Sequence, residues 1–271
     1  NIGMYGVNGG LTNNTIENTG EIILNLSNTS EQNIGVVNIN SKFQNDGSIK
    51  LNSLGINTGN IYNNIAVYSE TGTVNLGGDF TGTALRYNDN GIVNLADGKN
   101  INSSITSDAP NQGTLNLVGT STVTGQVGDA TNNLKEINAN GIAGKTVTFA
   151  NNVYATNTNI GAGTVDIKGN LTGAVNSTSP GVGTLTTTGI IDQIITGTVG
   201  NIGNLNVSNT GSTTIAGNVN AVNTKIDSTL IMTDGSNISS IITGTGNLTL
   251  NGSSTVTGTV GNSTTSLGNI N

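Results

Sequence analysis

Two stretches of this chain, residues 113–138 and residues 246–271, align without a gap and agree at 15 of 26 positions. A shorter unit, Gly-x-Φ-x-Φ with Φ aliphatic, runs through the rest. It reads Gly20-Glu21-Ile22-Ile23-Leu24, Gly47-Ser48-Ile49-Lys50-Leu51, Gly72-Thr73-Val74-Asn75-Leu76 and Gly91-Ile92-Val93-Asn94-Leu95. It continues as Gly113-Thr114-Leu115-Asn116-Leu117, Gly163-Thr164-Val165-Asp166-Ile167, Gly183-Thr184-Leu185-Thr186-Thr187, Gly203-Asn204-Leu205-Asn206-Val207 and Gly246-Asn247-Leu248-Thr249-Leu250, with Thr187 replacing the final Φ. Successive glycines lie 27, 25, 19, 22, 50, 20, 20 and 43 residues apart, the two long gaps looking as though a degenerate copy were hidden in each. Repetition at such a period is the mark of stacked repeat architectures.

Each unit alternates aliphatic and polar residues with a period of two, between Gly, Asn and Asn-Gly turn signals, which is a strand pattern. Helical stripes are absent, and Gly, Asn and Thr are poor helix formers. A strand this short cannot bury its inward side chains alone, so the units must stack. The expectation is an all-β fold, a right-handed parallel β-helix of about 12 coils of roughly 22 residues, spaced near 4.8 Å. It forms a single continuous solenoid over 1–271, more irregular over 1–112 and more regular over 113–271.

The composition fits that architecture. Asn, Thr and Gly fill 129 of 271 positions. Thr, Asn and Ser suit an outward strand face, Gly and Asn adopt the left-handed turns between faces, and Val, Ile and Leu supply the interior. Asn at one corner of successive coils is expected to form hydrogen-bonded ladders. Cys, His and Trp are absent, which removes disulfides, Cys/His zinc sites, haem ligation by His and His-based triads. The net charge of −7 and a lone arginine, Arg86, argue against nucleic acid. The longest aliphatic runs, such as Gly189-Ile190-Ile191 and Ile194-Ile195, are too short to span a membrane.

The stretch Gly113-Thr114-Leu115-Asn116-Leu117-Val118-Gly119, the Thr-Val-Thr-Gly-x-Val-Gly copies beginning at Thr122 and Thr255, and Leu134-Lys135-Glu136-Ile137-Asn138 resemble repeats in passenger domains of bacterial type V autotransporters, above all rickettsial surface cell antigens and outer-membrane protein B. The first hundred residues, with Asn1-Ile2-Gly3-Met4-Tyr5-Gly6 and Gly20-Glu21-Ile22, are more similar to fusobacterial autotransporter passengers. The resemblance covers most of the chain, and its motifs are structural. It implies an interior piece of a longer adhesin passenger, anchored at the bacterial surface through a translocator barrel outside this sequence, or secreted.

Candidate chemistry is sparse. Asn88-Asp89-Asn90-Gly91 has the oxygen-rich composition of a calcium loop without its spacing or closing Glu, and reads as a tight turn before Ile92. Asp79, Asp89 and Asp97 with Arg86 and Tyr87 are the most catalytic-looking group, since polysaccharide-active β-helices pair carboxylates across coils. All eight aromatics fall in residues 1–154, and a Tyr-bearing contact surface is expected near Tyr62, Tyr68, Phe80, Arg86 and Tyr87, unless these residues fill the core. Thr-x-Thr pairs such as Thr122-Val123-Thr124, Thr146-Val147-Thr148 and Thr255-Val256-Thr257 fall at irregular intervals and read as solvent-facing strand positions.

The functional expectation is a non-enzymatic stalk that presents contacts to a host-cell or bacterial surface protein or glycan, with no metal and no cofactor. A self-associating fibre or surface-layer subunit is the alternative, and a carbohydrate-active enzyme the third.

Overall fold

The computed structural model describes residues 79–271 apart from Asn88, Asp89, Asn140 and Ser263, with Thr81, Gly82 and Thr83 described in backbone alone. Before residue 79 it describes the side chain of Leu76 and the backbone of Ile16–Asn18, Glu21–Ser27, Phe43–Asn45, Ser48–Leu54, Ile61–Tyr62, Ile65–Val67 and Thr73–Leu76. All described secondary structure is β, every described strand pairing is parallel, and the strands stack as a β-solenoid of about nine turns. These nine turns span residues 79–271, about 43 Å at neighbouring-strand spacing, whereas the expected dozen is counted over the whole chain at the same period of roughly 22 residues.

Each coil has three faces, met in a fixed order along the chain. The inward column of the first face is Phe80, Ile101, Val123, Phe149, Ile167, Thr187, Val207 and Ile226, so a coil takes between 18 and 26 residues. The second face stacks Leu85, Ile105, Val127, Val153, Leu171, Ile195, Ile215, Met232 and Leu250. The third stacks Val93, Leu115, Ile137, Thr158, Val175, Val199, Val219, Ile238 and Val256. The alternation seen in the sequence becomes burial directly: in Ile92–Leu95, Thr146–Phe149, Thr164–Ile167 and Thr229–Met232 every second side chain points inward. At roughly 25 cal/mol per Å² of apolar surface, these columns are the main favourable contribution to folding.

The pairing also explains the long gaps in the repeat. The Gly-x-Φ-x-Φ copies beginning at Gly72, Gly91 and Gly113 lie on the third face. Those at Gly163, Gly183 and Gly203 lie on the first, and the copy at Gly246 lies on the second. The gaps of 50 and 43 residues are therefore two coils plus one face. For the same reason Val123 and Val256, equivalent in the 26-residue match, sit on different faces.

Corners follow the same progression. Asp97, Asp192 and Asp234 lie at the third-to-first, first-to-second and second-to-third corners. Each Oδ1 accepts the backbone N–H of Thr120, Ser212 or Ser253 one coil later, at 2.8, 2.7 and 2.7 Å. The residue before each donor is glycine, and a Cβ on Gly252 would lie 2.0 Å from Asp234 Oδ1, so only glycine lets the coil seat on the carboxylate. At other corners Asn holds the next coil: Asn100 Oδ1 accepts Thr122 N–H at 2.9 Å, Asn152 accepts Asn170 N–H at 2.8 Å, and Asn218 accepts Asn237 N–H at 2.9 Å. Asn thus joins successive coils at corners by accepting backbone N–H groups, and not by the side-chain ladders expected there.

Thr187 points inward with no exposed surface. Its hydroxyl lies 3.0 Å from that of Thr213, which donates to Asn209 Oδ1 at 3.2 Å, where Ser228 Oγ also donates at 2.8 Å. Buried Gln193 donates to Ile167 O at 2.8 Å and Gly169 O at 2.9 Å, and accepts Gly189 N–H at 3.2 Å. The interior here is a satisfied polar seam in place of the aliphatic column, as buried polar groups require.

Candidate contact surface

Of the five expected contact residues, the structure turns two inward. Phe80 and Tyr87 are fully buried and offer nothing to a partner. Tyr87 shares strand parity with inward Leu85, its ring covers Gly113, and its hydroxyl donates to Thr114 O at 2.8 Å. Burial pushes the phenol well above its ordinary pKa, against a smaller opposing hydrogen bond from the Val93 backbone. These two aromatics fill core space, the other role weighed for them. Arg86 has the opposite parity and faces outward, where it grips Asp108 with two hydrogen bonds, Nε to Oδ1 at 2.5 Å and Nη2 to Oδ2 at 2.8 Å. Tyr62 lies in the strand Ile61–Tyr62, paired with Phe80–Thr81, and Tyr68 lies outside the described residues.

The catalytic-looking carboxylates are used to join coils. Asp79 Oδ1 accepts Asn100 N–H at 2.7 Å. Asp97 accepts Thr120 N–H and pairs with Lys145 Nζ at 3.1 Å, and its carboxyl is held below the usual range by that backbone bond first and by Lys145 second. Asp129, Asp192 and Asp234 are lowered in the same way, by N–H groups of Asn132, Ser212 and Ser253 respectively. Asp89 and Asn88 of the oxygen-rich turn lie outside the described residues. Among the described residues no group of three or more acidic, His or Cys side chains is placed to hold a metal ion.

What the solenoid presents outward is two ordered polar fields. On the third face Asn94, Asn116, Asn138, Asn159 and Asn176 share one register position. Nδ2 of each of the three middle residues donates to Oδ1 of the residue one coil earlier, at 2.6, 2.9 and 2.8 Å. On the first face Thr146, Thr164, Thr184, Asn204 and Asn223 form one outward row, with Thr148, Asp166, Thr186, Asn206 and Lys225 beside it. The intervals between Thr-x-Thr pairs look irregular in sequence because coil lengths vary; in space, 146–148 and 184–186 stand in register, while Thr255 and Thr257 flank a third-face position. Asp166 interrupts the row and accepts a hydrogen bond from Thr188 Oγ1 at 2.6 Å.

Apolar exposure is concentrated where sequence reading placed only short aliphatic runs. Ile190 is 85% exposed beside outward Ile191 on a loop that Asn209 Nδ2 holds by donating to Ile191 O at 3.3 Å, and Ile194 faces outward from the strand Gln193–Ile195 that follows. The signal available was Thr187: a polar residue at an inward position marks the coil where the chain departs from the aliphatic template. Comparison with protein-family models, with curated proteins and with solved structures returns no match.

Proposed function

We propose that this chain is a non-enzymatic β-helical stalk of a bacterial cell-surface or secreted adhesin, of the autotransporter-passenger kind its repeats resemble. The observation that carries the reading is how the polar groups are spent. Asp79, Asp97, Asp192 and Asp234, the groups a hydrolase would use as acid and base, each hold a backbone N–H of the next coil. A stack stapled at every face resists extension along its axis, while its outer rows offer regularly spaced amides and hydroxyls to a protein or glycan surface.

Beads coated with the folded chain and presented to epithelial and bacterial cells test the adhesive part: they should bind in excess of beads carrying heat-unfolded chain, and equal binding would refute it. Release of reducing ends from a polysaccharide panel, abolished by Asp79→Asn, would refute the non-enzymatic part.

A further inference from the structure

The Asp234 corner differs from its two equivalents in one residue. The glycine seated on the carboxylate is preceded by Val118 at Gly119, by Thr210 at Gly211 and by Asn251 at Gly252. Asn251 and Gly252 are both exposed, and the Asn251 main chain is fixed: its N–H donates to Met232 O at 3.1 Å, and its carbonyl accepts from Ser254 N–H and Ser254 Oγ at 3.3 and 2.8 Å. Neither the Asn251 side-chain amide nor the Gly252 N–H takes part in any hydrogen bond. The amide carbon that can be attacked and the nitrogen that can attack it are thus adjacent, solvated and unengaged.

We propose that Asn251 is a built-in site of spontaneous deamidation that releases the coil following it, residues 253–271. The Gly252 nitrogen bonds to Asn251 Cγ, the Cγ–Nδ2 bond breaks, and ammonia departs with the proton lost from the Gly252 nitrogen, leaving a five-membered succinimide. One water then opens the ring at either carbonyl, giving aspartate or isoaspartate. Isoaspartate inserts the β-carbon into the main chain immediately before Gly252. At this corner there is no slack, because Gly252 sits at φ +61° with its Cα hydrogens against Asp234, and Ser253 N–H and Oγ reach Asp234 Oδ1 at 2.7 and 3.0 Å. The displaced main chain leaves both bonds unmade. Either product adds a negative charge close to Asp234. The Asn-Gly pair at Asn90 is the internal contrast, since Asn90 Oδ1 is sealed from solvent.

The test is incubation of the full chain at mildly alkaline pH, with peptide mapping over time and isoaspartate detected by enzymatic methylation. Asn251 should convert at least an order of magnitude faster than Asn90 in the folded chain, and the two rates should converge in strong denaturant. Hydrogen exchange over 253–271 should accelerate as conversion proceeds, and Asn251→Gln should abolish both effects while leaving the unaged exchange pattern unchanged. Conversion of Asn90 at the rate of Asn251 in the folded chain, or a rate ratio that persists in denaturant, overturns the structural cause. Full conversion at Asn251 with unchanged exchange over 253–271 overturns the release.

Discussion

The Asn ladder on the third face makes a directional prediction at Asn138. This residue donates to Asn116 Oδ1 at 2.9 Å and receives Asn159 Nδ2 at 2.8 Å, so Asn138→Ala removes two bonds from a half-buried row. A typical intramolecular hydrogen bond contributes about 1 kcal/mol net, and partial exposure lets water take up some of the loss, so the expected cost is about 1–2 kcal/mol. Asn176→Ala, at the end of the row with a single 3.4 Å bond to Asn157 Oδ1, should cost less than about 0.5 kcal/mol. Asn138→Asp discriminates further. A carboxylate still accepts from Asn159 but cannot donate to Asn116, and it shares Asn159 Nδ2 with Glu136, which already accepts from it at 2.6 Å. The aspartate variant should therefore be less stable than the alanine variant at pH 7. The order should narrow below about pH 4, where a protonated carboxyl regains a donor. Because a solenoid unfolds in neighbour-coupled units, the assay is urea denaturation combined with amide exchange resolved by coil, with Lys135→Ala as an exposed control. The reasoning is refuted if Asn138→Ala is no worse than Lys135→Ala, or if the aspartate matches the wild type at pH 7.

Three further outcomes follow from the packing. Tyr87→Phe should lower stability by about 1 kcal/mol through loss of the buried hydroxyl's bond to the Thr114 carbonyl, and Gly113→Ala by about 3 kcal/mol or more, since its Cβ would lie 2.4 Å from the Tyr87 ring at φ +79°; denaturation midpoints check both. Asp97, Asp129, Asp192 and Asp234 have folded pKa values below their unfolded ones, so they bind fewer protons when folded. Their stabilisation is complete above the ordinary carboxylate value and lost as pH falls through the lower folded values, so acid titration followed by circular dichroism should show a loss below about pH 4 that Asp192→Asn and Asp234→Asn flatten. Arg86→Ala should change stability by less than about 1 kcal/mol, since its partner Asp108 is an exposed ion pair, whereas Phe149→Ala should cost about 3–5 kcal/mol; a reversed ranking by thermal unfolding would refute the assignment of inner and outer positions.

Much of the solenoid was legible because its code is local. Leu115, Leu117, Val165 and Leu248 are buried where alternation places them, and glycine, asparagine or aspartate recurs at the corners. The same locality hid the rest. A Gly-x-Φ-x-Φ unit reads identically on any face, so only the lengths of the two long gaps, taken as residues rather than as copies, could reveal the steps from face to face. Tyr87 was open to both readings as an aromatic near Arg86, although its two-residue offset from Leu85 already pointed it inward. The Asn amide row was displaced in expectation from strand to corner because both positions carry the same residue type. No pattern in the sequence signalled that Asp79 and Asp97 would each meet a backbone amide one coil on, because that contact depends on how many residues the intervening coil contains.

That the unit moves from the third face to the first and then to the second makes the protein a kind of combination lock. Its element of growth is one side of a triangle, so gain or loss of a single strand-and-turn would preserve the aliphatic interior while turning every later outer row by a third of a revolution. Rods with equivalent cores could in this way display the same amide and hydroxyl stripes along entirely different directions.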